Sequence, residues 1–188
     1  MILQAVEKLL TFEEYLNYRD ETDTRYELVL GKLEIMNPPT VRHFLIAKFL
    51  EKIFDREIDK KNLNWLCFRE AGIRTGYQKS RLPDLFIIDK NTAMELLDST
   101  AVFQTTPFLV VEIVSLESSK RDYRYKRSEY AALEVPEYWI VDPQEKKITV
   151  LSLSEGLYEE TVYTGEDKIN SAIFPEQELT VREVLSLQ

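Results

Sequence analysis

The amino-acid sequence predicts an α/β protein, and three observations carry that expectation. Two near-continuous apolar runs, at 85–88 and 108–114, read as strands covered on both faces. Between the second run and Tyr138-Trp139-Ile140-Val141 lies a charged stretch with helical periodicity, giving strand, helix, strand. Before both, Ile46, Phe49, Leu50, Ile53 and Phe54 recur at helical spacing with Lys48, Glu51, Lys52 and Asp55 between them. At 188 residues, 44% hydrophobic and 30% charged, the chain fits one domain spanning 1–188.

Taken in order, Thr11-Phe12-Glu13-Glu14 is a capping box and predicts a short peripheral helix, a lid, running to about Tyr18. Arg25-Tyr26-Glu27-Leu28-Val29 and Lys32-Leu33-Glu34-Ile35-Met36 flank Leu30-Gly31 as a β-hairpin, with Gly31 at a positive φ. The long helix follows Pro38-Pro39-Thr40 and carries His43 in its first turns. Short strands are expected at 65–68 and 72–77, then at the two apolar runs. Ser118-Ser119 starts a helix through about Leu133, and Pro136 ends the loop before the next strand. Runs at 148–153 and 158–163 form a C-terminal hairpin, and Thr180-Val181-Arg182-Glu183 is a second capping box.

The opening residues 1–7 lack a basic leader and are interrupted by Glu7, so neither a signal peptide nor a membrane span is expected, and the location expected is cytoplasmic. Cys67, alone in an apolar run, reads as a small core residue. A net charge of −9 opposes wholesale coating of nucleic acid, which rests on cations at phosphates. Positive charge is nevertheless local: Lys79 and Arg81 precede Asp84, and Lys120, Arg121, Arg124, Lys126 and Arg127 crowd one stretch. A solvated helix face would account for that stretch equally well.

Two carboxylates stand in apolar surroundings. Asp84 follows Pro83 at the opening of one buried strand, and Glu112 lies inside another, where an ionised carboxylate is costly unless paired or metal-bound. Carboxylates at neighbouring strand positions suit Mg²⁺, which takes oxygen ligands and retains waters; an Arg partner for Glu112 is the ordinary alternative. Pro83-Asp84 followed by Glu112-Ile113-Val114 resembles the PD-(D/E)xK phosphodiesterase motif, with Val114 where that motif has its Lys. Asp122, Lys126 and Tyr130 recur every four residues on one helix face, so an ammonium at Lys126 can reach the strand ends instead. Its ordinary reading is an i,i+4 pair with Asp122, worth about 0.2–0.5 kcal/mol.

At these residues a wider resemblance becomes specific. Tyr26-Glu27-Leu28-Val29 with Gly31, Pro38-Pro39 with Arg42-His43, Pro83-Asp84, Val111-Glu112-Ile113-Val114-Ser115, Arg121-Asp122 with Lys126 and Tyr130, and Val135-Pro136-Glu137-Tyr138-Trp139-Ile140-Val141-Asp142 resemble the Uma-two family over nearly the whole chain. The departures are Leu116, where the family usually has Pro, and Glu134, where it usually has Gly. The resemblance implies a restriction-endonuclease-like mixed sheet flanked by helices, here with the C-terminal β-hairpin as an extension, and a catalytic Lys moved to the helix.

It implies a nuclease acting on nucleic acid, most naturally DNA, with Asp84, Glu112 and Lys126 as catalytic residues and Mg²⁺ (or Mn²⁺) as cofactor. Glu27 is expected either as a third metal carboxylate or as a cross-strand partner for Lys or Arg. His43 is expected to donate a proton or contact phosphate, or merely to cap its helix. Tyr138, Trp139 and the aromatic C-terminal hairpin suggest apolar surface covered in a homodimer, and the symmetry of a duplex suggests the same. A non-catalytic binding module on the same fold is the rival expectation.

Overall fold

The structure, a computed structural model, describes residues 8–22, 24–115 and 118–186. The expectations that fell on residues 1–7 and on Leu116 lie outside the described residues.

Helix α1 (Phe12–Leu16) opens with the expected capping box: Thr11 Oγ1 accepts from the Glu14 N–H, and the Glu14 carboxylate accepts from the Thr11 N–H. It is shorter than expected and fastened down, because Phe12 is buried against Leu28 and Val102. Strands β1 (Tyr26–Val29) and β2 (Lys32–Ile35) pair antiparallel. Both turn residues take positive φ, Leu30 at 52° and Gly31 at 80°, as a two-residue hairpin turn matched to strand twist requires. A Cβ on Gly31 would stand 2.9 Å from that of Leu9.

Thr40 caps α2 (Val41–Lys60), which buries Ile46, Leu50, Ile53 and Phe54. Then come β3 (Trp65–Phe68), β4 (Gly72–Gly76), β5 (Lys79–Arg81), β6 (Leu85–Asp89), α3 (Lys90–Glu95), β7 (Val102–Phe103) and β8 (Leu109–Ile113). A π-helical stretch, Arg121–Lys126, runs on into α4 (Arg127–Ala132), followed by β9 (Glu137–Asp142), β10 (Lys147–Ser154), β11 (Leu157–Thr164) and α5 (Val181–Ser186). Glu134, at the position the family usually gives to Gly, has a φ of 60°. Its N–H donates to the Ala131 carbonyl and that of Val135 to the Tyr130 carbonyl, a left-handed helix stop that glycine would fit without strain.

The strands form two mixed sheets rather than one. The larger has the order β11-β10-β9-β8-β6-β3, and the smaller β2-β1-β5-β4-β7. Strands β8 and β9 are parallel and joined by the π-helix and α4, the expected strand–helix–strand unit. The C-terminal hairpin extends the same sheet through β10 and β11. Alternate residues of the central strands feed two cores. Leu85, Val111 and Trp139 pack under α2, whereas Phe86, Val110, Val114 and Tyr138 pack with Tyr130 of α4. Glu112 shares the parity of Val110 and Val114, so it points toward the π-helix and α4.

Tyr138 and Trp139 are fully buried core aromatics of the single chain, which corrects the expectation that they also leave apolar surface to be covered in an interface. Beside them Glu137 is also fully buried. Its carboxylate accepts from Trp139 Nε1 at 2.6 Å, Ser171 Oγ at 2.7 Å and the backbone N–H groups of Ala172 at 2.6 Å and Ile173 at 3.2 Å. One acid therefore clasps the C-terminal segment onto the sheet. Glu137→Ala should destabilise the fold by at least about 1.5–3 kcal/mol, since charged hydrogen bonds are lost and buried donors left unmade. Urea unfolding measures it; a loss under half a kcal/mol would mean the clasp is not formed in solution.

Among the described residues no helix is long and apolar enough to cross a membrane.

Candidate active site

Leu85 stands opposite Val111 in the β6–β8 pairing, so one further step along the register brings Asp84 opposite Glu112. The two acids enter the same cavity, of about 1160 Å³, walled by the β2–α2 connection, the Arg69-Glu70 turn and the start of the π-helix. Asp84 is held at both oxygens: Oδ1 lies 2.6 Å from His43 Nε2, and Oδ2 accepts from the Ile113 N–H at 2.6 Å. His43 thus joins the site through Asp84.

Glu112 is 3% exposed and accepts from the Tyr130 hydroxyl at Oε1, 2.7 Å away. Its other oxygen, Oε2, lies 2.8 Å from Lys126 Nζ. Lys126, 1% exposed, is also 3.3 Å from Glu27 Oε1 and 3.5 Å from Asp122 Oδ1. The i,i+4 pair with Asp122 is present but is only part of the surroundings of Lys126, because its ammonium sits inside the protein among three carboxylates from three elements. Burial alone would lower its pKa, but Glu112, Glu27 and Asp122 push it up, and it remains an ammonium. Burial pushes the Glu112 carboxyl up, against the opposing pull of Lys126, with Asp122, Asp84 and Glu27 adding to the rise.

Glu27 has both oxygens engaged. Arg81 Nη1 reaches Oε2 at 2.8 Å, and the Leu82 N–H donates to Oε1 at 3.1 Å. Burial raises its pKa, but Lys126 and Arg81 outweigh that and hold it at about 2. Of the two roles left open for Glu27, its contacts favour the ion-pair partner. Arg81 in turn grips Glu129 with two bonds, Nε to Oε2 at 2.8 Å and Nη2 to Oε1 at 2.7 Å. The local positive charge expected before Asp84 is thus spent internally: Arg81 is buried, and Lys79 lies 3.5 Å from Glu129. Arg127 pairs with Glu160, leaving Arg121 as the cation of its stretch that lines the cavity beside Lys126.

Sequence reasoning gave no site role to Asp122 or Tyr130 beyond their spacing with Lys126. That spacing was the signal. A π-turn holds more residues than an α-turn, so the π-helix followed by α4 keeps Asp122, Lys126 and Tyr130 facing the end of β8; such turns recur at functional sites.

Among the described residues no cluster of three or more His, Cys, Asp or Glu is arranged to ligate a metal ion. Two carboxylates suffice for a hard cation that keeps its waters. The site fits one: its acids outnumber Lys126, and Asp122 Oδ1 is buried and accepts no hydrogen bond.

An α/β chain with two mixed sheets flanked by helices, Asp84 and Glu112 on adjoining strand ends and a buried Lys beside them, has the architecture of a nuclease-like fold. A family model described as "Putative restriction endonuclease" matches residues 12–182, and the chain belongs to that family, Uma2. A crystal structure of "a putative nuclease belonging to DUF820" from Anabaena variabilis ATCC 29413 superposes with a TM-score of 0.79 at 19% identity, covering 95% of this chain and 98% of that one. That likeness shows the fold. No curated protein matches the chain.

Proposed function

We propose that the protein is a metal-dependent nuclease that hydrolyses phosphodiester bonds of nucleic acid, DNA in the first instance, from a single domain. The observation that carries this reading is the buried ammonium of Lys126, 2.8 Å from Glu112 in the cavity that Asp84 also lines. A structural ion pair alone would not need a cavity of that size against it.

In this reading Asp84 and Glu112 hold Mg²⁺ or Mn²⁺. The bound ion would supply positive charge to the phosphoryl oxygens and lower the pKa of a water. His43 and the Ile113 N–H fix the Asp84 carboxylate, and the Tyr130 hydroxyl fixes Glu112, so the ligands are set before substrate arrives. Lys126 donates a hydrogen bond to the attacking water and offsets charge gathering on the phosphate. Glu27, tied to Arg81, braces Lys126. A pair of copies related by two-fold symmetry would present one site to each strand of a duplex, so the active unit in this reading is a homodimer; a monomer mass in light scattering at micromolar concentration would remove the dimer.

The test is paired. Millimolar Mn²⁺ should raise the melting temperature of the parent, because ligation relieves repulsion between partly buried acids, and should support cleavage of a plasmid or oligonucleotide. Asp84→Asn should lose both. An equal thermal shift in Asp84→Asn, or no cleavage of DNA or RNA across a panel of metals, would defeat the proposal and favour the non-catalytic module.

A further inference from the structure

Asp122 is a buried acid with one oxygen that lacks a hydrogen bond. It is 2% exposed, its Oδ1 accepts no hydrogen bond, and it lines the cavity holding Asp84, Glu112 and Lys126. A buried carboxylate oxygen without a hydrogen bond costs free energy, so Oδ1 gains by any donor brought closer to it. The nearest cation is Lys126 Nζ at 3.5 Å, beyond good hydrogen-bond length, while Glu112 Oε2 holds the same ammonium at 2.8 Å. Glu27 Oε1 also stands 3.3 Å from the ammonium, but it shares that oxygen with the Leu82 N–H and commits the other to Arg81. A divalent cation on Glu112 would compete with the ammonium for Oε2, because two cations repel at that separation. A shift of Lys126 would then shorten its loose 3.5 Å pairing with Asp122 Oδ1, an oxygen with no hydrogen bond to give up, on its own helix face.

We infer that Asp122 is the positioning residue for Lys126: when a divalent cation engages Glu112, the ammonium passes from Glu112 to Asp122 Oδ1 and is held there facing the cavity. The inference rests on the metal-dependent reading above. It makes Lys126 and the cation competitors for Glu112, with Asp122 offsetting the cost of the exchange.

The experiment is a double-mutant cycle on Mn²⁺ affinity, read by electron paramagnetic resonance on the full chain without nucleic acid. Lys126→Met should bind Mn²⁺ more tightly than the parent, because the internal competitor is gone. Asp122→Asn should weaken Mn²⁺ by about 10–100-fold, as loss of a partner behind a metal ligand does. In the Lys126→Met background the same substitution should change affinity by no more than about threefold, since independent sites add and coupled ones do not. An undiminished loss there would make Asp122 a direct ligand and overturn the inference. An unaltered affinity in Asp122→Asn alone, with binding still abolished in Asp84→Asn, overturns this inference and spares the metal reading. A parent that binds no Mn²⁺ overturns both. Melting in chelator, run on all five proteins, separates lost affinity from lost fold.

Discussion

Lys126→Met should reduce cleavage in Mn²⁺ by about 10²–10⁴-fold, the range a positioned proton-handling group contributes. In chelator it should also destabilise the fold by about 3–5 kcal/mol, because it leaves buried carboxylates without their cation. The second figure follows from burial. An exposed pair with Asp122 would contribute about 0.2–0.5 kcal/mol, whereas this ammonium is enclosed by Glu112, Glu27 and Asp122. Part of the lost stability should return with Mn²⁺, which supplies positive charge to the same acids. Adding Val114→Lys should recover some cleavage. Residues two apart on a strand share a side, and Val114 packs against the same core as Tyr130, the hydroxyl partner of Glu112. Unfolding curves with and without Mn²⁺, alongside plasmid cleavage, check each part. Cleavage at the parental rate would remove Lys126 from the chemistry, and a stability change under half a kcal/mol would remove it from the core.

Residues near in sequence were legible; pairs far apart were not. The apolar runs that became β6, β8 and β9 announce their burial locally, since a strand covered on both faces must be apolar at every step. Both capping boxes and the Leu30-Gly31 turn are likewise written within four residues. Strand β5 was missed because Lys79-Ser80-Arg81 has no apolar alternation; its buried Arg81 is matched by acids 54 and 48 residues away. The contact of His43 with Asp84 spans 41 residues, so only the type of residue and its helix start hinted at it. At the site, the acids out of place in apolar strands were readable from their cost. The enclosure of Lys126 was not, because helical spacing gives direction and says nothing of depth. The smaller sheet, built largely from short pieces such as β5 and β7, combines apolar contacts of Leu28 and Val102 on Phe12 with the Arg81–Glu27 ion pair, and none of its pieces is long enough to show a period.

Arg81→Met should be the most damaging change outside the cavity, costing about 3–5 kcal/mol at neutral pH. Arg81 joins β5 to β1 through Glu27 and to α4 through Glu129, and its removal leaves two buried acids short of a cation. The pH dependence distinguishes charge from packing. Glu27 is held at about 2 against an ordinary 4.5, so its folded-state value is lowered. A lowered acid contributes stability that is fully present above its unfolded pKa and fades as the pH falls toward the folded one. The parent should therefore lose stability between about pH 4.5 and 2 as Glu27 gains its proton. Without Arg81 that lowering shrinks, leaving Lys126 as its support, so Arg81→Met should lose less over the same window. The gap between the two proteins should accordingly be widest near pH 7 and narrow in acid. Urea midpoints at pH 7 and pH 3 measure the gap at both ends. A gap that stays constant would assign the effect of Arg81 to its packed stem rather than to its charge.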